Sequence, residues 1–113
     1  MRKILIGLIL AAGACSGPAD DTAQPANGPV ERGQAIAEAN CASCHAIDAT
    51  SASPHDEAPA FRTLSQRYPV SSLQEALAEG IVVGHEDMPE FTFSPEEVDA
   101  LIAFMESLQP EDD

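Results

Sequence analysis

Residues 41–45 read Cys41-Ala42-Ser43-Cys44-His45. Two thiols three positions apart, placed where a helix ends, project to one side, and the histidine follows the second thiol without a spacer. That arrangement suits the two vinyl groups of a haem: each thiol adds to one vinyl, and the adjacent imidazole is then held under the iron. Three other readings use the same residues. A structural disulfide is available in an oxidising compartment, but it gives no reason for His45 to follow at once. A thioredoxin-like redox pair needs a βαβ setting, and strand signals are nearly absent from this chain. A zinc site using Cys41, Cys44 and two of His45, His55 and His85 has enough ligands, yet no second cysteine pair and no suitable His–His spacing supports it. The motif therefore predicts one covalently attached haem, held by Cys41 and Cys44.

The surrounding chain reads as helical. Upstream, the stretch from Glu31 or Arg32 to about Asn40 carries Ala35, Ile36, Ala37 and Ala39 as helix-compatible filling. Downstream, Ser72 stands three residues before Glu75 and opens a helix that turns Leu73, Ala76 and Leu77 inward and ends near Gly80. The last helix is signalled most fully. Ser94 is a good N-cap, Pro95 suits the first helical position, and Glu97 is placed to reach back to the cap amide. Phe93 and Val98 can staple that start, and Val98, Leu101, Ile102, Met105 and Leu108 form an amphipathic stripe that Pro110 stops. The β-branched run Ile81-Val82-Val83 is too short for a sheet. The expected fold is all-α.

Composition narrows what such a fold can do. The chain has 113 residues, 19 acidic and 5 basic, with a formal net charge of −14, so it lacks the clustered cations that neutralise nucleic-acid phosphates. Aromatic residues make up only 4%, which leaves a thin core of Ala, Leu, Ile and Val that a bound haem would fill out.

The N-terminus reads as an export signal over residues 1–14: a basic start at Arg2 and Lys3, the apolar run Ile4 to Leu10, and small residues up to Ala14. The run is too short to span a bilayer, which takes roughly 20 apolar residues. Cleavage after Ala12-Gly13-Ala14 would leave Cys15 first. That placement looks like a bacterial lipoprotein signal, with a lipid on Cys15 mooring the protein to the membrane, although Ala12 stands where such signals carry Leu. Residues 15–29, rich in Gly, Pro and polar residues, read as a disordered tether. Without residues 1–14 the chain keeps 19 acids against Arg32, Arg62 and Arg67, a formal charge of −16 with no lysine. Residues 30–109 remain as the functional domain, and 110–113 as an acidic tail.

A six-coordinate iron needs a second axial ligand opposite His45. The candidates are His55, His85, Met88 and Met105. Met88 lies in Gly84-His85-Glu86-Asp87-Met88-Pro89-Glu90, a turn-rich segment far enough along the chain to return on the other face of the haem. Its thioether has no other evident reason to sit in a polar loop. His85 shares that loop and is the main rival. Met105 belongs to the apolar stripe and reads as core packing, and His55 reads as a solvated loop histidine.

Taken in order, the helix containing Gly33, the CASCH pentapeptide, the Pro59 loop, Met88-Pro89 and a last helix with Leu101 and Phe104 resemble the class I c-type cytochromes, specifically small bacterial monohaem members. The resemblance implies a fold of three to five helices wrapped around one haem c, with thioether bonds at Cys41 and Cys44, His45 as proximal ligand and Met88 as distal ligand. It implies that the Pro59 carbonyl hydrogen-bonds and orients His45, and that Gly33 and Ala37 let the first helix cross the last closely at Leu101 and Phe104. Two departures stand out. The loop reads Ala58-Pro59-Ala60-Phe61 where the family often has Gly before the proline, and the lysines that ring the haem edge in the best-known eukaryotic members are missing.

In that arrangement Ile47, Phe61, Leu64, Leu77, Phe91 and Phe104 are expected around the haem. With both axial positions filled, the iron has no place for a small-molecule substrate, so a non-enzymatic one-electron carrier in the periplasm is the expected function, acting as a monomer. The acidic surface is expected either to dock a redox protein through a basic face or simply to keep the domain soluble. Two alternatives remain: a peroxidase-like or gas-sensing domain with a labile distal ligand, and a fixed subunit of a respiratory or dehydrogenase complex.

Overall fold

The computed structural model of the chain describes residues 27–80 and 86–111. The signal segment, Cys15, the tether up to residue 26, Ile81-Val82-Val83 and His85 lie outside the described residues. Three α-helices frame the domain: α1 (Pro29–Asn40), α2 (Leu73–Glu79) and α3 (Pro95–Ser107). Two short 3₁₀ segments, Phe61–Gln66 and Val70–Ser72, lie between α1 and α2, and no strand occurs among the described residues.

Helix α1 starts two residues before Glu31, the earliest start its sequence suggests. Gly28 is extended (φ −64°, ψ 175°) and serves as N-cap, and Pro29 takes the first helical position, where its fixed φ is preset and its missing N–H costs nothing. A proline that reads as the end of a linker is thus the first residue of a helix. At the other end Cys41 N–H bonds the Ala37 carbonyl at 2.8 Å, so the first thiol sits on the last turn of α1.

Helix α2 ends where its sequence indicates, with Gly80 at φ 75° closing it in the left-handed conformation. Its start differs from the capping-box reading. Ser72 belongs to the preceding 3₁₀ segment and already has helical dihedrals (φ −66°, ψ −14°), so its side chain makes no cap hydrogen bond. Helix α3 shows the full reciprocal cap: Glu97 N–H bonds Ser94 Oγ at 3.3 Å, and Ser94 N–H bonds Glu97 Oε2 at 2.9 Å.

The inward stripe of α3, from Val98 through Leu101 and Ile102 to Met105, is buried, and Leu101 and Ala37 are completely so. Gly33 sets the contact of α1 with α3. A Cβ there would fall 2.6 Å from the Ala100 carbonyl carbon and 2.7 Å from Phe104 Cβ, so no larger residue fits while the two backbones stay this close. The close crossing expected at Phe104 is present, and it runs over the Ala100 backbone as well. The short segments 61–66 and 70–72 add Phe61, Leu64 and Val70 to the core and bring the chain from the attachment motif round to α2.

Candidate haem site

The end of α1 turns sharply through the motif. His45 N–H bonds the Cys41 carbonyl at 2.9 Å, and Cys44 N–H bonds the same oxygen at 3.1 Å, so one carbonyl folds the pentapeptide into a single turn. Cys41 and Cys44 are free thiols, both half-buried. Burial, and then the neighbouring Cys44, push the Cys41 thiol up to about 11, so it is protonated at neutral pH. Thioether formation would remove that titration altogether.

His45 is fixed from behind. Its Nδ1–H donates to the Pro59 carbonyl at 2.7 Å, because a carbonyl can only accept, so in the neutral ring Nε2 is the nitrogen with the lone pair. The loop that brings Pro59 there is itself tied back: Phe61 N–H bonds the Ala46 carbonyl at 2.9 Å, and Ser53 Oγ accepts from Ala46 N–H at 3.0 Å. The ring of Phe61, buried, packs on His45 with centroids 5.3 Å apart and meets Phe104 edge-on at 6.5 Å. Ala58 and Ala60 flank Pro59 without displacing its carbonyl from the imidazole.

One cavity of about 560 Å³ opens beside this turn. Cys41, Cys44 and His45 line it, and so does Met88, together with Phe61, Leu64, Leu77 and Phe91. Its size falls within the roughly 300–1,000 Å³ typical of cofactor pockets, and its walls are mainly hydrophobic. The residues fit a covalent haem: two unpaired thiols at one edge, an imidazole whose free nitrogen is a ligand, and apolar surface for the macrocycle. The zinc alternative finds no support, since among the described residues no group of three or more His, Cys, Asp or Glu side chains could hold a metal ion.

Two of the expected wall residues lie elsewhere. Ile47 and Phe104 pack in the core and do not line the cavity. Phe104 lies on the side of α3 that meets α1 at Gly33, whereas Leu101 and Met105, four residues apart, present the side that lines the cavity. Leu73 and Phe93 complete the wall. Met105 is buried in the core and also contributes to the wall.

His55 is a partly exposed loop residue, as expected, but it is also engaged. It lines the cavity, and both of its ring nitrogens are engaged: Nδ1 accepts from Glu57 N–H at 3.2 Å and Nε2 lies 3.3 Å from Asp87 Oδ2. No sequence signal could have found this pairing, since 32 residues separate the partners. Arg67 and Tyr68 also line the cavity and were not singled out from the sequence.

An all-α domain with a CxxCH turn, an oriented imidazole and an apolar cavity between them defines a haem protein of the cytochrome c type. A family model described as Cytochrome c matches residues 30–109, and the chain belongs to that family. The family binds covalent haem c and uses it in electron transfer, and Cys41 and Cys44 of this chain stand at the attachment positions. No individual curated protein and no solved structure matches the chain.

Proposed function

We propose that the protein is an exported one-electron carrier whose haem is ligated by His45 and Met88 and which docks to a redox partner through an acidic rim. When bound, haem supplies an iron that cycles between ferric and ferrous with one electron. Cys41 and Cys44 hold the macrocycle edge. Nδ1–H of His45, bonded to the Pro59 carbonyl, keeps the ring oriented and its Nε2 basic. Met88 lines the same cavity as His45 and is half-buried there, and this placement is the observation that carries the reading. With His45 and Met88 both held as ligands, a bound haem iron would favour the ferrous state and would keep no open position for substrate. The hydrophobic wall of Leu64, Leu77, Leu101 and Phe91 excludes water from the centre.

The rim supports the choice of partner. The 54–58 loop and the 86–90 turn both contribute to the cavity, and they carry Asp56, Glu57, Glu86, Asp87 and Glu90, all exposed. A basic face on a redox protein would be steered to such a rim, with fast and salt-sensitive association. Lipid mooring at Cys15 and a periplasmic location complete the proposal, and they rest on the sequence of residues 1–15.

The test is an optical spectrum of the holoprotein under redox titration. The expected result is a low-spin spectrum with a far-red sulfur-to-iron band in the oxidised state. Met88→Ala should abolish the band, lower the potential and let the ferrous iron bind carbon monoxide. An unchanged Met88→Ala spectrum removes Met88 as ligand. For the partner, electron transfer to a lysine-rich redox protein should slow as the Debye length shrinks from ~30 Å at 0.01 M salt to ~10 Å at 0.1 M. A flat salt profile would leave the acidic rim without a docking role.

A further inference from the structure

The 86–90 turn that carries Met88 is exposed on both sides of it, and His55 makes a contact that crosses from this turn to the rest of the cavity rim. His55 is well anchored for the purpose. Its backbone N–H donates to the Cys44 carbonyl at 3.1 Å, inside the attachment motif, and its own carbonyl accepts from Ala58 N–H at 3.1 Å. Glu57 N–H donates to Nδ1 at 3.2 Å, which fixes the ring and leaves the proton on Nε2. Nε2–H then points its donor at Asp87 Oδ2, 3.3 Å away, and Asp87 is the residue immediately before Met88. His55 and Asp87 both line the cavity beside Met88. A chain of three links thus runs from the Cys44 carbonyl through the His55 ring to the Asp87 carboxylate and so to the Met88 backbone.

We propose that His55 is a positioning residue for Met88: its hydrogen bond to Asp87 fastens the distal turn to the attachment-motif side of the cavity and sets how readily the distal position opens to another ligand. The inference rests on Met88 being the distal ligand. The fastening acts on the turn and leaves the His45 side untouched, because no part of the His45–Pro59–Phe61 arrangement passes through the His55 ring. The pair is solvent-accessible, with 32% of the His55 side chain and 73% of that of Asp87 exposed, so its effect is that of a surface charge-assisted contact.

The experiment measures the rate at which added imidazole displaces the distal ligand in the ferric holoprotein. His55→Phe and Asp87→Ala should each raise that rate by about two- to fivefold, and the double variant should be no faster than the faster single one, because both remove the same contact. His55→Gln, whose amide N–H can still reach a carboxylate, should stay near the wild-type rate. Equal acceleration in His55→Gln and His55→Phe, or no change in Asp87→Ala, overturns the proposal, since the ring would then act by shape alone. The two readings fail separately. Absence of the sulfur-to-iron band in the wild type removes Met88 and the fastening with it, whereas a band present in the wild type with His55→Phe and Asp87→Ala as slow as wild type removes only the fastening.

Discussion

On the His45 side of the cavity, the imidazole is held by the Pro59 carbonyl at 2.7 Å, its backbone by the Cys41 carbonyl at 2.9 Å, and its ring by the buried Phe61 beneath it. On the Met88 side, Glu86, Asp87, Pro89 and Glu90 are exposed, and a ring-to-carboxylate contact crosses from Asp87 to His55. Past this turn the chain is secured by Phe91, stacked on Phe93 at 5.4 Å, and by Phe93 N–H, which bonds the Leu77 carbonyl at 3.0 Å. Segments with few buried apolar contacts and much exposed backbone open at lower free energy than packed ones. The difference teaches that the two residues proposed as axial ligands have unequal mechanical support: the His45 imidazole is part of the packed fold, while the Met88 thioether sits on a lightly secured turn. Ligand exchange is therefore expected at the Met88 position, at a cost well below that of unfolding, and the spectrum and displacement rates described above are its direct readout.

The strongest way to break the comparison is to remove the floor of the packed side. Phe61 is 3% exposed, touches the His45 ring and reaches Phe104 on α3. Phe61→Ala leaves a cavity directly under the imidazole, and we expect it to lower the unfolding free energy of the holoprotein by about 3–5 kcal/mol, as large-to-small changes in packed cores do. Denaturant titration followed in the Soret band would measure it. A loss below about 1 kcal/mol would mean that the His45 side is no better packed than the Met88 side, and the contrast between them would disappear.

Much of this asymmetry is written locally and could be seen in the sequence. The CASCH turn, the Ser94–Glu97 cap and the α3 stripe each depend on residues within a few positions of one another, and each is found as expected. Elements decided by distant packing were less legible. The 3₁₀ segments at 61–66 and 70–72 carry no periodic pattern, and the second of them makes Ser72 helical before α2 begins, which is why the Ser72–Glu75 box does not form. Phe104 is expected at the haem wall, but the helical rotation of α3 turns it toward Gly33. Asp87 looked like one more acid in a polar loop. Its role depends on His55, 32 residues earlier, and no local pattern in either segment reports that proximity.

The smallest expected effect sharpens the comparison from within the His45 side, at the loop just past the imidazole. Asp48 is three residues beyond His45 and exposed, and it accepts hydrogen bonds from Ser51 N–H at 2.6 Å and Thr50 N–H at 2.8 Å. Arg62 clasps the same loop by donating to the Ser51 carbonyl at 2.7 Å. Ser51, through its backbone and then its hydroxyl, and Thr50 after it, hold the Asp48 carboxyl down to about 2 from its ordinary 3.8. A carboxyl depressed by folding stabilises the folded state above its unfolded value, and that contribution is lost as the pH falls from about 4 to about 2. Asp48→Asn keeps an oxygen acceptor for both N–H groups but cannot titrate. The stability difference between wild type and Asp48→Asn should therefore be constant above pH 5 or so and shrink steadily below about pH 4, where protonation makes the two side chains alike. Acid unfolding of the two holoproteins, followed in parallel by circular dichroism, measures that difference. If it stays constant down to pH 2, the Asp48 carboxylate is not what secures this loop, and the hold on the His45 side rests on Arg62, Pro59 and Phe61 alone.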